Sequence, residues 1–153
     1  MTFPPIEQLL PHQAPMLLLD RVTAFEAQSI SCETRVGERH ALLLDAQGNL
    51  PGWCGIELMA QAIAAWAGLQ AHQRSEPVRI GMLLGTRKYE SQLPTFAAGS
   101  LLRIEAHCLL QDAGMASFEC RILQGETLCA KARLSTYQPT TAQLSDLLET
   151  QSQ

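Results

Sequence analysis

Apolar and polar residues alternate strictly in the second half of the chain. Over residues 101–110, Leu102, Ile104, Ala106 and Cys108 share one face, and Arg103, Glu105 and His107 the other, as a sheet with one solvated face requires. Leu128, Ala130, Ala132 and Leu134 repeat the pattern within 127–137, opposed by Lys131 and Arg133. Strands are also predicted over 78–84 and 116–124, bounded by Gly and Pro signals. Gly125 and Glu126 make a two-residue connection of hairpin type, so this half reads as an antiparallel meander. Upstream, 5–10 predicts a short helix ended by Pro11, and 16–22 and 29–36 predict two further strands.

Residues 53–69 break the alternation. The run is rich in Ala, Leu, Ile and Met and contains no Pro, which predicts a helix. It is apolar nearly all round, and such a helix is stable only where apolar surface surrounds it on most sides. A sheet of about six strands curled around one central helix, an α+β arrangement, meets that demand. The single domain expected over 1–153 ends in a peripheral polar tail from about 138, where Leu144, Leu147 and Leu148 suggest a short helix.

Within that helix Glu57 is the only charged residue, and Gln61 lies one turn later on the same face. Burying an ionised carboxylate costs several kcal/mol unless it is paired, so Glu57 calls for a cation, a cavity or a bound proton. Periodicity alone leaves open an amphipathic helix with both residues facing water. The run is too short, and interrupted by Glu57, for a membrane span of roughly 20 residues.

Composition narrows the classes. The 153 residues are 46% hydrophobic and 17% charged, enough to bury one real core. The net charge of -4 comes without a block of like charges, which argues against nucleic acid and membrane-surface partners. No secretory signal is read at the N-terminus, so the cytoplasm is expected. Cys32, Cys54, Cys108, Cys120 and Cys129 are odd in number and lack a CxxC pair, so they are expected as reduced, mostly buried thiols. With no zinc spacing, phosphate-binding glycine loop or dinucleotide fingerprint, no metal and no redox cofactor are expected.

Two segments resemble the 3-hydroxyacyl-acyl-carrier-protein dehydratases of fatty acid synthesis: Leu10-Pro11-His12-Gln13-Ala14-Pro15-Met16-Leu17-Leu18-Leu19-Asp20-Arg21-Val22 and Gly55-Ile56-Glu57-Leu58-Met59-Ala60-Gln61-Ala62. The likeness runs from about Leu10 to Tyr137. Leu50-Pro51-Gly52-Trp53-Cys54-Gly55-Ile56-Glu57, with Arg79-Ile80-Gly81 and Leu84-Gly85-Thr86-Arg87-Lys88-Tyr89-Glu90, is similar to a dehydratase subunit of bacterial aryl polyene clusters. The resemblance implies a hotdog fold, in which two protomers join to make the acyl tunnel. The partner would be a second copy or a second hotdog dehydratase subunit, in a dimer or larger assembly.

That family removes water from a 3-hydroxyacyl group on an acyl carrier protein. The reaction needs a base for the C2 proton, an acid for the C3 hydroxyl and donors for the thioester oxygen. The family's histidine loop, flanked by phenylalanine, proline and glycine, is absent here. His40 is the histidine on the approach to the helix and is expected as the base, with Glu57 as acid or hydroxyl-orienting group. Trp53, Cys54, Gly55 and Gln61 are expected to bind substrate, with amides near 53–55 aimed at the thioester and Gly55 permitting close approach. His12, His72 and His107 read as structural. The phosphopantetheine arm arrives with the substrate, and Arg74, Arg79, Arg87 and Lys88 are candidates for a basic patch that meets an acidic carrier. Two rivals share the fold: an acyl thioesterase, in which the helix carboxylate activates water, and a non-catalytic subunit that completes another chain's site.

Overall fold

The computed structural model describes residues 2–77 and 81–139. Six strands form one antiparallel, curved sheet: β1 (Arg21–Glu26), β2 (Ser29–Arg35), β4 (Met82–Ser91), β6 (Leu101–Asp112), β7 (Met115–Gln124) and β8 (Thr127–Tyr137). Their order across the sheet is β1-β2-β6-β7-β8-β4, and the two-residue strands β3 (Leu50–Pro51) and β5 (Thr95–Phe96) pair separately. The one α-helix among the described residues, α1 (Gly55–Gln73), packs on the inner face against β2, β6 and β7, and less extensively against β4 and β8. The α+β hotdog architecture expected above is therefore present.

The alternating residues land as their period demands. Leu102, Ile104, Ala106 and Cys108 are buried, as are Ala130, Ala132 and Leu134, and they meet Leu58, Met59, Ala62, Trp66 and Leu69 of α1. Trp66 sets its ring edge-to-face on Phe118, with centroids 5.4 Å apart. Each such large apolar side chain contributes roughly 1.5–3 kcal/mol by leaving water. All five cysteines are buried and unpaired, and burial pushes the Cys32 and Cys120 thiols up to about 12.

Several expected boundaries move. The helix begins at Gly55, after a 3-10 turn at Gly52–Cys54, and runs on to Gln73. The short N-terminal helix reduces to a 3-10 turn at Ile6–Gln8. The strand expected at 78–84 is instead β4, which extends to Ser91; residues 78–80, including Arg79, lie outside the described residues, as does the tail helix expected around 144–148. The strand expected at 16–22 is displaced to β1. Met16–Leu19 take no part in the sheet, because side chains rather than a neighbouring strand meet the Met16 carbonyl and the Leu18 amide and carbonyl.

The segment before β1 crosses α1 at very short range. A Cβ on Gly68 would collide with the backbone of Leu9, so glycine is required there for close approach. Ala for Gly inside a helix ordinarily stabilises by about 0.8–1 kcal/mol. Here Gly68→Ala is expected to reverse the sign and cost about 1–3 kcal/mol through overpacking, read from urea unfolding midpoints; a stabilised variant would refute the contact.

Candidate active site

Gln61 is fully buried, and its amide is satisfied in three directions. Its Oε1 accepts from the Leu18 amide at 2.8 Å, while its Nε2 donates to the Met16 carbonyl at 2.8 Å and to Glu57 Oε1 at 3.0 Å. One side chain thus pins the 16–18 segment to the helix and orients the carboxylate one turn before it. The other side of the segment is held at the Leu18 carbonyl, which accepts from the Thr34 hydroxyl at 2.8 Å.

Leu9 on Gly68 and Met16 to Leu18 on Gln61 are the two fixed ends of a short span, and His12 lies between them. Its Nε2 stands 3.6 Å from Glu57 Oε1, with the two side chains 30% and 41% exposed. Both line a cavity of about 220 Å³, whose wall includes Ala60, Ala64 and Ala67 of α1, Leu83 of β4, and Ala116 and Phe118 of β7. A carboxyl and an imidazole therefore share the mouth of an apolar groove, an arrangement suited to moving protons on a substrate whose remainder is apolar. A larger hollow of about 530 Å³ lies elsewhere, over β1, β2, β6 and β7 among Ser29, Glu105, Glu119 and Arg121; it holds neither His12 nor Glu57.

His40 is placed differently from the sequence-based expectation. It is 1% exposed, in a 3-10 turn at Glu38–His40. Its Nδ1 accepts from the Gly37 amide at 3.2 Å, which assigns the proton to Nε2. That nitrogen lies 2.9 Å from the Leu18 carbonyl and 3.1 Å from Thr34 Oγ1. Both ring nitrogens are thus engaged within the chain, and the side chain is buried. The histidine beside Glu57 is His12. Its signal in the sequence is its place in the first family-like segment, since periodicity carries none.

The remaining expected site residues also divide. Trp53 is 66% exposed, whereas Cys54 is fully buried; burial first, then the Glu57 charge, pushes the Cys54 thiol up to about 11. The group that approaches Gly55 is Tyr89, whose ring and hydroxyl occupy the space of a Cβ. Trp53, Cys54, Gly55 and Gln61 stand outside the described lining of the cavity. Gln61 acts on the site through Glu57. Arg87 and Lys88 are exposed on β4, and Arg74 caps the C-terminal end of α1.

The ApeP-like family model, described as ApeP dehydratase, matches residues 4–149. The chain belongs to the ApeP-like dehydratase family. Its resemblance to hotdog dehydratases, including the aryl polyene subunit, is thus borne out. This ApeP-like chain is similar to a structure from Xenorhabdus doucetiae, the dehydratase heterocomplex ApeI:P, at 39% identity over 96% of this chain and 99% of that one, with a TM-score of 0.90. It also shares its fold with a hypothetical thioesterase from Streptococcus pneumoniae TIGR4 bound to coenzyme A, at 16% identity, 77% and 86% coverage and a TM-score of 0.58. The PaaI protein of Escherichia coli is alike in fold too, at 15% identity, 76% and 81% coverage and a TM-score of 0.59. Among the described residues no helix is long and apolar enough to cross a membrane.

In this ApeP-like dehydratase, Gln61→Leu would strand the Leu18 amide and the Met16 carbonyl and release Glu57. A buried group left unsatisfied costs about 1–3 kcal/mol, so a loss of about 2–5 kcal/mol is expected in urea unfolding. A cost under about 0.5 kcal/mol would contradict the bracket.

Proposed function

We propose that this dehydratase converts a 3-hydroxyacyl thioester, carried on an acyl carrier protein, to the trans-2-enoyl thioester and water. The observation that carries the reading is the His12–Glu57 pair at the mouth of an apolar cavity. His12 takes the C2 proton, Glu57 delivers a proton to the departing C3 hydroxyl, and one water leaves for each C–H and C–O bond broken. The base expected at His40 is reassigned to His12 on geometric grounds. The Trp53 and Cys54 amides, in the turn that leads into α1, are the candidates for polarising the thioester carbonyl, since helix N-termini offer unpaired N–H groups; the Gly52 and Gly55 amides are already engaged. The chemistry needs no metal or redox cofactor, and the phosphopantetheine arm belongs to the carrier. Five buried thiols suit a reducing, cytoplasmic setting.

A hetero-oligomer is the proposed working form, with a second hotdog subunit as partner. Support comes from the heterocomplex of the 39% identical relative. It comes also from β4, an edge strand that exposes Leu83 and Leu84, the kind of edge that proteins normally cover.

The test incubates the chain, alone and with a second hotdog subunit, with a 3-hydroxyacyl carrier protein and follows water loss by intact mass. Glu57→Gln and His12→Ala are each expected to lower the rate at least 100-fold with the fold intact. His40→Ala is expected to lower stability first. Full activity in His12→Ala would refute the assignment of the base, and release of free carrier thiol without water loss would establish a thioesterase instead.

Carrier docking is assigned to Arg87 and Lys88. Charge reversal of both to Glu is expected to weaken carrier binding at least tenfold at low salt and much less at 0.5 M, because exposed charges are screened. Unchanged affinity at low salt would remove this surface from the proposal.

A further inference from the structure

We propose that Tyr89 is a positioning residue for the dehydration, clamping the turn that carries the N-terminus of α1 to the edge strand β4. The inference rests on the dehydratase reading and concerns a residue outside the described lining of the cavity.

Tyr89 follows Lys88, which has a φ of 54°, inside a register shift between Arg87 and Glu90 against β8. The extra residue there is a bulge, the usual device for re-aiming a side chain. The Tyr89 ring turns inward to Gly55, and its hydroxyl donates to the Gly52 carbonyl. That carbonyl also accepts the Gly55 amide, closing the 3-10 turn at Gly52–Cys54. A Cβ on Gly55 would meet the Tyr89 hydroxyl, and Ile122 Cδ1 at 3.1 Å. On its far side the turn is fixed by the Gly52 amide, which donates to the Pro94 carbonyl at 2.8 Å. A Cβ on Gly52 would come within 2.9 Å of the Leu93 carbonyl oxygen. Two glycines therefore make room for β4 and the connection after it, and between them the turn is held from both sides.

Burial pushes the Tyr89 phenol up, with a smaller lowering by Ser91 and a raising by Cys54, so the donor form prevails at neutral pH. Glu57 stands in the first turn of α1 and moves with it. Reacting groups tolerate little displacement, since about 1 Å can cost on the order of 100-fold in rate. Because Tyr89 is not among the described cavity-lining residues, its loss should act on kcat and leave KM alone.

Tyr89→Phe keeps the ring against Gly55 and removes only the hydroxyl; Tyr89→Leu removes both. The variants would be assayed in the full chain, with whatever partner subunit activity requires, on a 3-hydroxyacyl carrier protein. A second readout is alkylation of Cys54, which lies in the clamped turn and is fully buried. Tyr89→Phe is expected to lower kcat about tenfold with KM unchanged, to melt near the wild-type temperature and to label faster at Cys54, with Tyr89→Leu larger on every measure. Wild-type kcat together with wild-type Cys54 protection in Tyr89→Phe would overturn the clamp, and so would a raised KM at unchanged kcat, which would make Tyr89 a substrate contact. A wild-type enzyme inert toward the substrate would overturn the dehydratase reading instead, and Cys54 labelling would then decide the clamp by itself.

Discussion

A primary amide shut away from water has to find every partner inside the protein, and at Gln61 that requirement organises the molecule. Its three hydrogen bonds reach the 16–18 backbone and Glu57, so the position of the chain before β1 and the orientation of the carboxylate are settled together. In a low-dielectric interior these bonds are stronger than in water, and an unmet group costs correspondingly more. The segment has no sheet partner of its own. Gln61, Thr34 and His40 do for Met16 and Leu18 what a neighbouring strand would otherwise do.

That arrangement explains the fate of the histidines. His40 is needed where it is: its Nε2 meets the Leu18 carbonyl and its Nδ1 closes its own turn with the Gly37 amide. Nearby Asp20 accepts from the Arg35 amide and the Arg39 guanidinium, each at 2.8 Å, at the start of the same pairing. A ring so occupied is costly to free, since each lost bond would leave a buried group unsatisfied. His12 has the opposite surroundings. It sits on a short span held at both ends, next to a cavity, with its Nε2 toward Glu57. Placement by the backbone on either side, rather than by bonds to its own ring, leaves an imidazole available for chemistry.

The sequence was informative wherever one residue's surroundings repeat along an element. The strands β6 and β8 declared themselves by period and the helix by its apolar, proline-free composition, against which the one carboxylate of α1 stood out. What periodicity could not carry was the identity of non-local partners. Nothing in the spacing of Met16 to Val22 says that its first residues are met by a glutamine more than forty positions on. Tyr89 was equally silent, because the bulge at Lys88 and Tyr89 reverses the face that alternation would assign. The same limit hid the neighbour of Glu57. His40 was favoured by its position before the helix in sequence, whereas the contact with Glu57 belongs to a histidine brought in from the other side of β1.

Glu57 and Gln61 show how one helical face can change character within a single turn. Both project the same way, yet Gln61 is fully buried under the 16–18 segment while the Glu57 side chain is 41% exposed at the cavity mouth. A charge at the deeper position would have to be desolvated at a cost of several kcal/mol; an amide there costs little because its partners are all backbone or the carboxylate itself. Interchanging the two residues would bury the charge and leave the orienting amide at the mouth, where water competes for its bonds. The order of the pair along α1 is therefore fixed by solvation: the neutral group goes under the 16–18 segment to hold it, and the ionisable one goes where that covering stops, at the cavity mouth.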